Sequence, residues 1–282
     1  MVRLFGGGND KPRAGRNQRQ PKSVEIEFLE AGGGEGYVLR TCPVYVCRNL
    51  PSFASLLEVV RSKAAEHPNE RILATLDEYG QASYTSGHAR DKDQLEWIDD
   101  DTPFAPTRDD RTTPEDARRL FDLVRRNILA QAEGRTFADL AGRLRWGHPD
   151  ALPFDELHAR PDELLDPREH HLMLAPVQHG WEAIAAFPNG YFAGDLQPAD
   201  NLVLARHFEE TYGYLLFGIG ASYIGFLRDQ PLAPSAARAM AADILSLHDL
   251  SLFGSFDSAV ELEKVATALQ TYDWMLFFYS GR

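Results

Sequence analysis

The chain has 282 residues, of which 44% are hydrophobic and 25% charged, the balance of a globular protein long enough to bury substantial cores. No apolar run approaches the roughly 18–20 residues needed to span a bilayer, and the start, MVRLFGGGNDKPRAGR, lacks the apolar region of a secretory signal, so a cytoplasmic location and no membrane partner are expected. The net charge is −13, but residues 1–22 carry six basic residues against Asp10 alone, a net of +5, which leaves −18 on the rest. Such a body repels nucleic acid and favours basic partners.

Residues 1–22, rich in Gly, Pro, Asn and Gln, read as a flexible basic tail. SVEIEFLE then alternates Val24, Ile26 and Phe28 with Glu25 and Glu27, the pattern of a half-buried strand. The glycines of residues 31–36 predict a hairpin loop rather than a phosphate cradle, because no Gly-Lys-Ser/Thr follows. Cys42 and Cys47 lie five residues apart in the second strand, roughly 16 Å in extended chain. A disulfide tolerates about 7 Å, so two reduced thiols facing opposite ways are predicted.

A helix is predicted from Ser52 to Glu66 on the spacing of Phe53, Leu56, Leu57, Val60 and Ala64. RILATLDEYGQASYTS reads as one or two strands broken near Gly80. Thr113, Pro114 and Asp116 open a second long helix with its apolar face on Ala117, Leu120, Phe121, Val124 and Ile128. TFADLAGRL gives a short helix. Residues 149–168, with four prolines and little apolar periodicity, read as a linker between an N-terminal α+β domain (23–148) and a C-terminal one (169–282).

In the second half, HHLMLAPV and WEAIAAF read as strands, and a helix runs from Pro198 to Tyr212 and stops at Gly213. YLLFGIG and SYIGFLRD form a hairpin, a helix covers about 235–247, and another opens with a capping box from Ser258 to Glu261. WMLFFYS, apolar on both faces, reads as a central strand. The expected fold class is α+β, the C-terminal half being a mixed sheet covered by helices.

Three histidines crowd EHHLMLAPVQHGWEAIAAF. His170 and His171 are adjacent and project to opposite faces of a strand, and His179 lies about 26 Å further along extended chain. No HExxH, Cys-x-x-Cys or calcium-loop pattern occurs, so neither a metal nor a cofactor is expected. GIGAS places Ser222 between two strands rather than on a strand–helix elbow, and GIGASY lacks the third glycine of a dinucleotide fingerprint.

His179, Glu182, Asp195 and His207 could converge beside Trp181 as an acid–base pocket, which makes a hydrolase the enzymatic alternative. The segment from Arg90 to Asp116 has ten carboxylates against four basic residues, with Trp97, Ile98 and Phe104 interleaved. Aromatic anchors among carboxylates suit a basic protein partner, because charge steers the encounter and buried rings supply affinity. The candidate binding residues are therefore Trp97, Asp99, Asp100, Asp101, Phe104 and Trp181.

The order LMLAPVQHGWEAIAAF, LQPADNLVLARHFEETYGYLLFGIGASYIGFLRDQPLAP and YDWMLFFYS resembles the bacterial domain of unknown function 4253 over residues 172–280. The shared pattern is Pro-x-x-x-Gly-Trp-Glu, a helix leading to Tyr-Gly, a hairpin, a Pro-marked Ala-rich helix and an aromatic terminal strand. Gln197-Pro198 stands where relatives carry Cys-Pro, a histidine early in the helix is replaced near Asn201, and SLHDLSLF replaces a Tyr-Cys-Pro-Asp segment. The resemblance implies a fold and a bacterial origin. In style such domains are similar to those encoded beside secreted toxins, so with the charge it points to an immunity-type inhibitor of a basic toxin or effector.

Overall fold

The first strand forms where its alternation places it, but both of its faces are exposed rather than one being buried. β1 (Glu25–Leu29) lies antiparallel to β2 (Val44–Arg48), with Ile26 opposite Cys47 and Phe28 opposite Tyr45. The computed structural model describes residues 23–33, 40–99, 102–104, 112–146, 151–249 and 257–280. Backbone bonds between Gly32, Gly33 and Arg40 close the base of the predicted loop. Cys42 and Cys47 are free and buried, one in each of the two cores that flank the sheet.

α1 (Phe53–Glu66) starts where expected, with the Ser52 hydroxyl accepting from the Ser55 N–H, and is followed by β3 (Arg71–Thr75). The expected continuation of strand past Gly80 is instead α2 (Tyr79–Lys92). This helix buries Ala82, Ser83, Thr85, Ser86, Gly87 and Ala89, residues too small and polar to register as a hydrophobic periodicity. β4 (Trp97–Asp99) and β5 (Thr102–Pro103) pair as a separate small hairpin. α3 (Pro114–Gln131) opens on the Thr113 cap, whose hydroxyl accepts the Asp116 N–H. TFADLAGRL supplies a single 3-10 turn, Phe137–Leu140, ahead of β6 (Leu144–Arg145).

The supposed linker is folded: α4 (Phe154–Ala159) and a 3-10 turn at Pro161–Leu164 lead into β7 (Glu169–Ala175). WEAIAAF is not a strand but a 3-10 helix, Gly180–Ala186, buried on nearly all sides. α5 (Pro198–Tyr212) ends on left-handed Gly213 as predicted, and β8 (Leu215–Ile219) and β9 (Tyr223–Leu227) form the predicted hairpin. α6 (Pro234–Ser246) precedes β10 (His248–Asp249), which pairs in parallel with β6. α7 (Ser258–Thr271) is capped by Asp257, one residue before the expected Ser258 box, and β11 (Trp274–Phe278) ends the described chain.

Seven strands form one sheet in the order β1-β2-β7-β3-β8-β9-β11, antiparallel throughout except for the parallel pair β3–β8. The fold is α+β, a mixed sheet covered by helices on both faces. Odd and even positions separate the faces: Leu73, Met173, Met275 and Phe277 join α2, α3, α5, α6 and α7 in the larger core. Ile72, Leu172, Leu174, Trp274 and Leu276 join α1 and α4 in the smaller one.

Two expectations are corrected by this order. The division at residues 149–168 does not divide the sheet, because β7 of the second half sits between β2 and β3 of the first. β11 is buried on both faces as predicted, yet it is the last strand rather than a central one. Its outer edge is covered instead by α4, where the ring Nε2 of buried His158 accepts the Leu276 N–H at 3.4 Å and its Nδ1–H donates to the Phe154 carbonyl at 2.7 Å. A sheet edge closed by a helix satisfies the burial pattern of a central strand.

Candidate functional site

The turn PVQHGWE is held from two sides. Glu182 is buried and receives the Arg125 guanidinium from α3, with Nε at 2.9 Å, while its other oxygen accepts the His179 N–H. Glu209 of α5 accepts the Trp181 N–H at 3.1 Å and faces His179 Nδ1 at 3.5 Å. The His179 ring is exposed and stacks on half-buried Trp181, over which Arg206 also lies. His179, Glu182 and Trp181 therefore share one turn, which the Glu182 carboxylate and the Trp181 backbone N–H fix to α3 and α5, while the buried Trp181 indole N–H has no partner among the described residues.

His207 does not join them. It stands two residues before Glu209, on a different side of α5, stacks on Phe137 and pairs through Nε2 with Asp243 at 2.7 Å. The Tyr212 hydroxyl donates to the same Asp243 oxygen. Asp195 is buried elsewhere, accepting from the Ser280 hydroxyl at 2.7 Å and from the Phe192 N–H, which ties the end of the chain to the loop before α5.

The remaining histidines of that stretch split as the strand requires. His170 is buried and bonds the Thr75 carbonyl through Nδ1, whereas His171 stacks on Tyr79 at 3.9 Å and meets Glu169 at 3.1 Å. Among the described residues no three His, Cys, Asp or Glu side chains converge in a metal-holding group.

Of the acidic candidates, Trp97 and Asp99 lie on β4 and Phe104 directly follows β5; Asp100 and Asp101 lie outside the described residues. Trp97 and Phe104 are half-buried and root the hairpin: the Trp97 carbonyl accepts from Asn127, and Arg119 lies over the Phe104 ring. The outward apolar group is Ile98, 49% exposed, next to exposed Asp99.

A polar cavity was not anticipated. About 810 Å³ opens at the carboxyl end of β3, lined by Asp77, Glu78, Glu163, Asp166, Arg168, Ser222 and Tyr223 with an apolar wall of Leu152, Leu164, Leu165 and Phe278. Asp77 accepts the N–H groups of Ser222 at 3.1 Å and Tyr223 at 3.3 Å from the β8–β9 turn. Burial pushes its carboxyl up to about 7, against the lowering effect of those backbone donors. Gly220 explains half of the GIGAS motif, since a Cβ there would lie 1.9 Å from an Asp77 oxygen.

Glu78 turns strand into helix with φ +36°, a conformation a non-glycine residue holds only at a cost of order 1–3 kcal/mol. Asp166 accepts the Tyr79 N–H at 2.9 Å. Burial works against its ionisation, but the backbone and guanidinium of Arg168 and the Tyr79 N–H hold it below the ordinary range. Sequence signals for this cavity existed in hindsight: LDEYG puts two carboxylates directly after an apolar run, and GIGAS puts glycine where another group must approach. Their partnership depends on the parallel pairing of β3 with β8, which no local pattern encodes. No family model, curated protein or solved structure matches the chain.

Proposed function

We propose that the chain is a non-catalytic protein-binding module for a basic partner, of the immunity type in which a bacterial inhibitor neutralises a toxin or effector in the cytoplasm. The kinship with domain of unknown function 4253 belongs to the same reading. The observation that carries it is the acidic β4–β5 hairpin, which displays exposed Ile98 beside Asp99 while Phe104 packs against the core and Asn127 of α3 holds the Trp97 carbonyl. A charge of −18 beyond residue 22 supplies long-range steering, and the exposed Ile98 side chain supplies apolar contact area.

The test uses the full chain as bait in a lysate of the native host. The expected partner is basic, and its retention falls at least about tenfold between about 50 and about 500 mM salt. Ile98→Asp should release it by a comparable factor without changing the melting temperature. Absence of any protein captured at micromolar bait, or capture indifferent to both salt and Ile98, overturns the reading.

A second reading, an acid–base enzyme, is favoured by the Asp77 cavity rather than by His179, Glu182 and His207. A buried carboxyl near pH 7 can both give and take a proton in that range. Turnover of chromogenic ester, phosphoester or glycoside substrates that Asp77→Asn abolishes would establish it. Parent and variant activities that are equally negligible would dismiss it.

A further inference from the structure

The outermost strand is a poor edge for a protein that stands alone. β1 pairs regularly with β2 from Glu25 to Leu29, and among the described residues it has no strand on its other side. It contains no proline and no bulge, two of the devices that ordinarily protect an edge, and its charges, Glu25 and Glu27, are both acidic, so they deter an acidic strand but not a basic one. Val24, Ile26 and Phe28 are 41%, 44% and 44% exposed and share one face, where Phe28 tilts against the Tyr45 ring. Glu25 and Glu27 occupy the other face, and Glu27 leans back to Arg48 of β2. A row of backbone donors and acceptors, an apolar stripe and an acidic stripe together specify a strand that alternates apolar and basic residues.

We propose that β1 is a strand-addition site, at which the basic partner of the preceding section inserts an extended segment alternating apolar and Lys or Arg residues; this rests on that reading. A second copy of the chain is the poorer occupant. In the antiparallel registers centred on Ile26 or on Glu27, which keep the two apolar stripes on one face, Glu25 or Glu27 falls opposite a glutamate of the other copy, and like charges directly opposed are destabilising. A basic strand replaces that repulsion with attraction on both sides of the new pair.

The probe is a nine-residue peptide alternating lysine with valine, titrated into the full chain. Two controls accompany it: the same residues with lysines and valines in separate blocks, and the alternating peptide N-methylated on every second amide so that one backbone edge cannot pair. The alternating peptide is expected to bind at least about tenfold tighter than either control, and Ile26→Ser to weaken it by about fivefold while leaving the block peptide unchanged. Equal binding of all three peptides overturns the strand assignment but leaves a basic partner standing, since charge alone then suffices. Binding of none overturns the strand-addition site, while the basic-partner reading stands or falls on the Ile98 test. A concentration-dependent dimer that Ile26→Ser dissociates, and that the alternating peptide cannot compete away, assigns the edge to a second copy and also overturns the proposal.

Discussion

Asp77 is the titratable group whose environment most deserves a pH experiment, because its carboxyl sits near 7 while the unfolded value is about 4. Between those values the folded protein retains a proton that the unfolded chain has released. Its contribution to stability is therefore complete below about pH 4 and is lost as pH rises toward 7. Buried His158 and His248 act in the opposite direction. Burial lowers each to about 4, so the unfolded chain takes up protons first and their stability is lost as pH falls from about 6.5. Asp77→Asn isolates the first effect. Relative to the parent, the variant should gain about 1–3 kcal/mol between pH 5 and 8, read from denaturant midpoints. A difference that does not change with pH would mean that Asp77 is already ionised in the fold.

Among the elements, residues 149–168 carry a role that their composition disguised. Asp162 Oδ1 accepts the Phe53 N–H at the start of α1 at 2.7 Å, and Asp166 Oδ2 accepts the Tyr79 N–H at the start of α2 at 2.9 Å. Glu78, at the cap of α2, supplies no side-chain bond of its own, so a distant aspartate does the capping. Asp162→Ala and Asp166→Ala should each cost about 1 kcal/mol, and the double variant about their sum, because the two caps serve different helices. A double variant as stable as the parent in urea would reduce the segment to the linker it resembles. α1, α3 and α5 were legible because Ser52, Thr113 and Gly213 mark their ends and their apolar residues keep helical spacing. α2 was not, since its buried face is Ala, Ser, Thr and Gly, with Arg90 fully buried and bonded to Glu96 and the Ala186 carbonyl. Caps contributed from a remote loop leave no local mark at all.

At the scale of the whole molecule, pairing order was the part that the sequence withheld. Each strand's alternation shows which side chains face a core, but not which strand lies alongside. The two-domain expectation placed β1, β2 and β3 in one unit and β7, β8, β9 and β11 in another. In the sheet, β3 pairs only with β7 and β8, and β7 pairs only with β2 and β3. A fragment of residues 23–148 would leave β3 without a single strand partner, and a fragment of 169–282 would leave β7 without either of its own. Each lost ladder strands buried N–H and C=O groups, and unpaired buried groups cost about 1–3 kcal/mol apiece. Neither fragment can offset several such losses against a typical domain stability of about 5–15 kcal/mol. The intact chain should therefore unfold in one calorimetric transition, while the separate fragments show no cooperative melting and regain sheet signal in circular dichroism only when mixed. Two resolved transitions in the intact chain, or a cooperatively folded 23–148 fragment, would mean that the shared sheet does not set the folding unit.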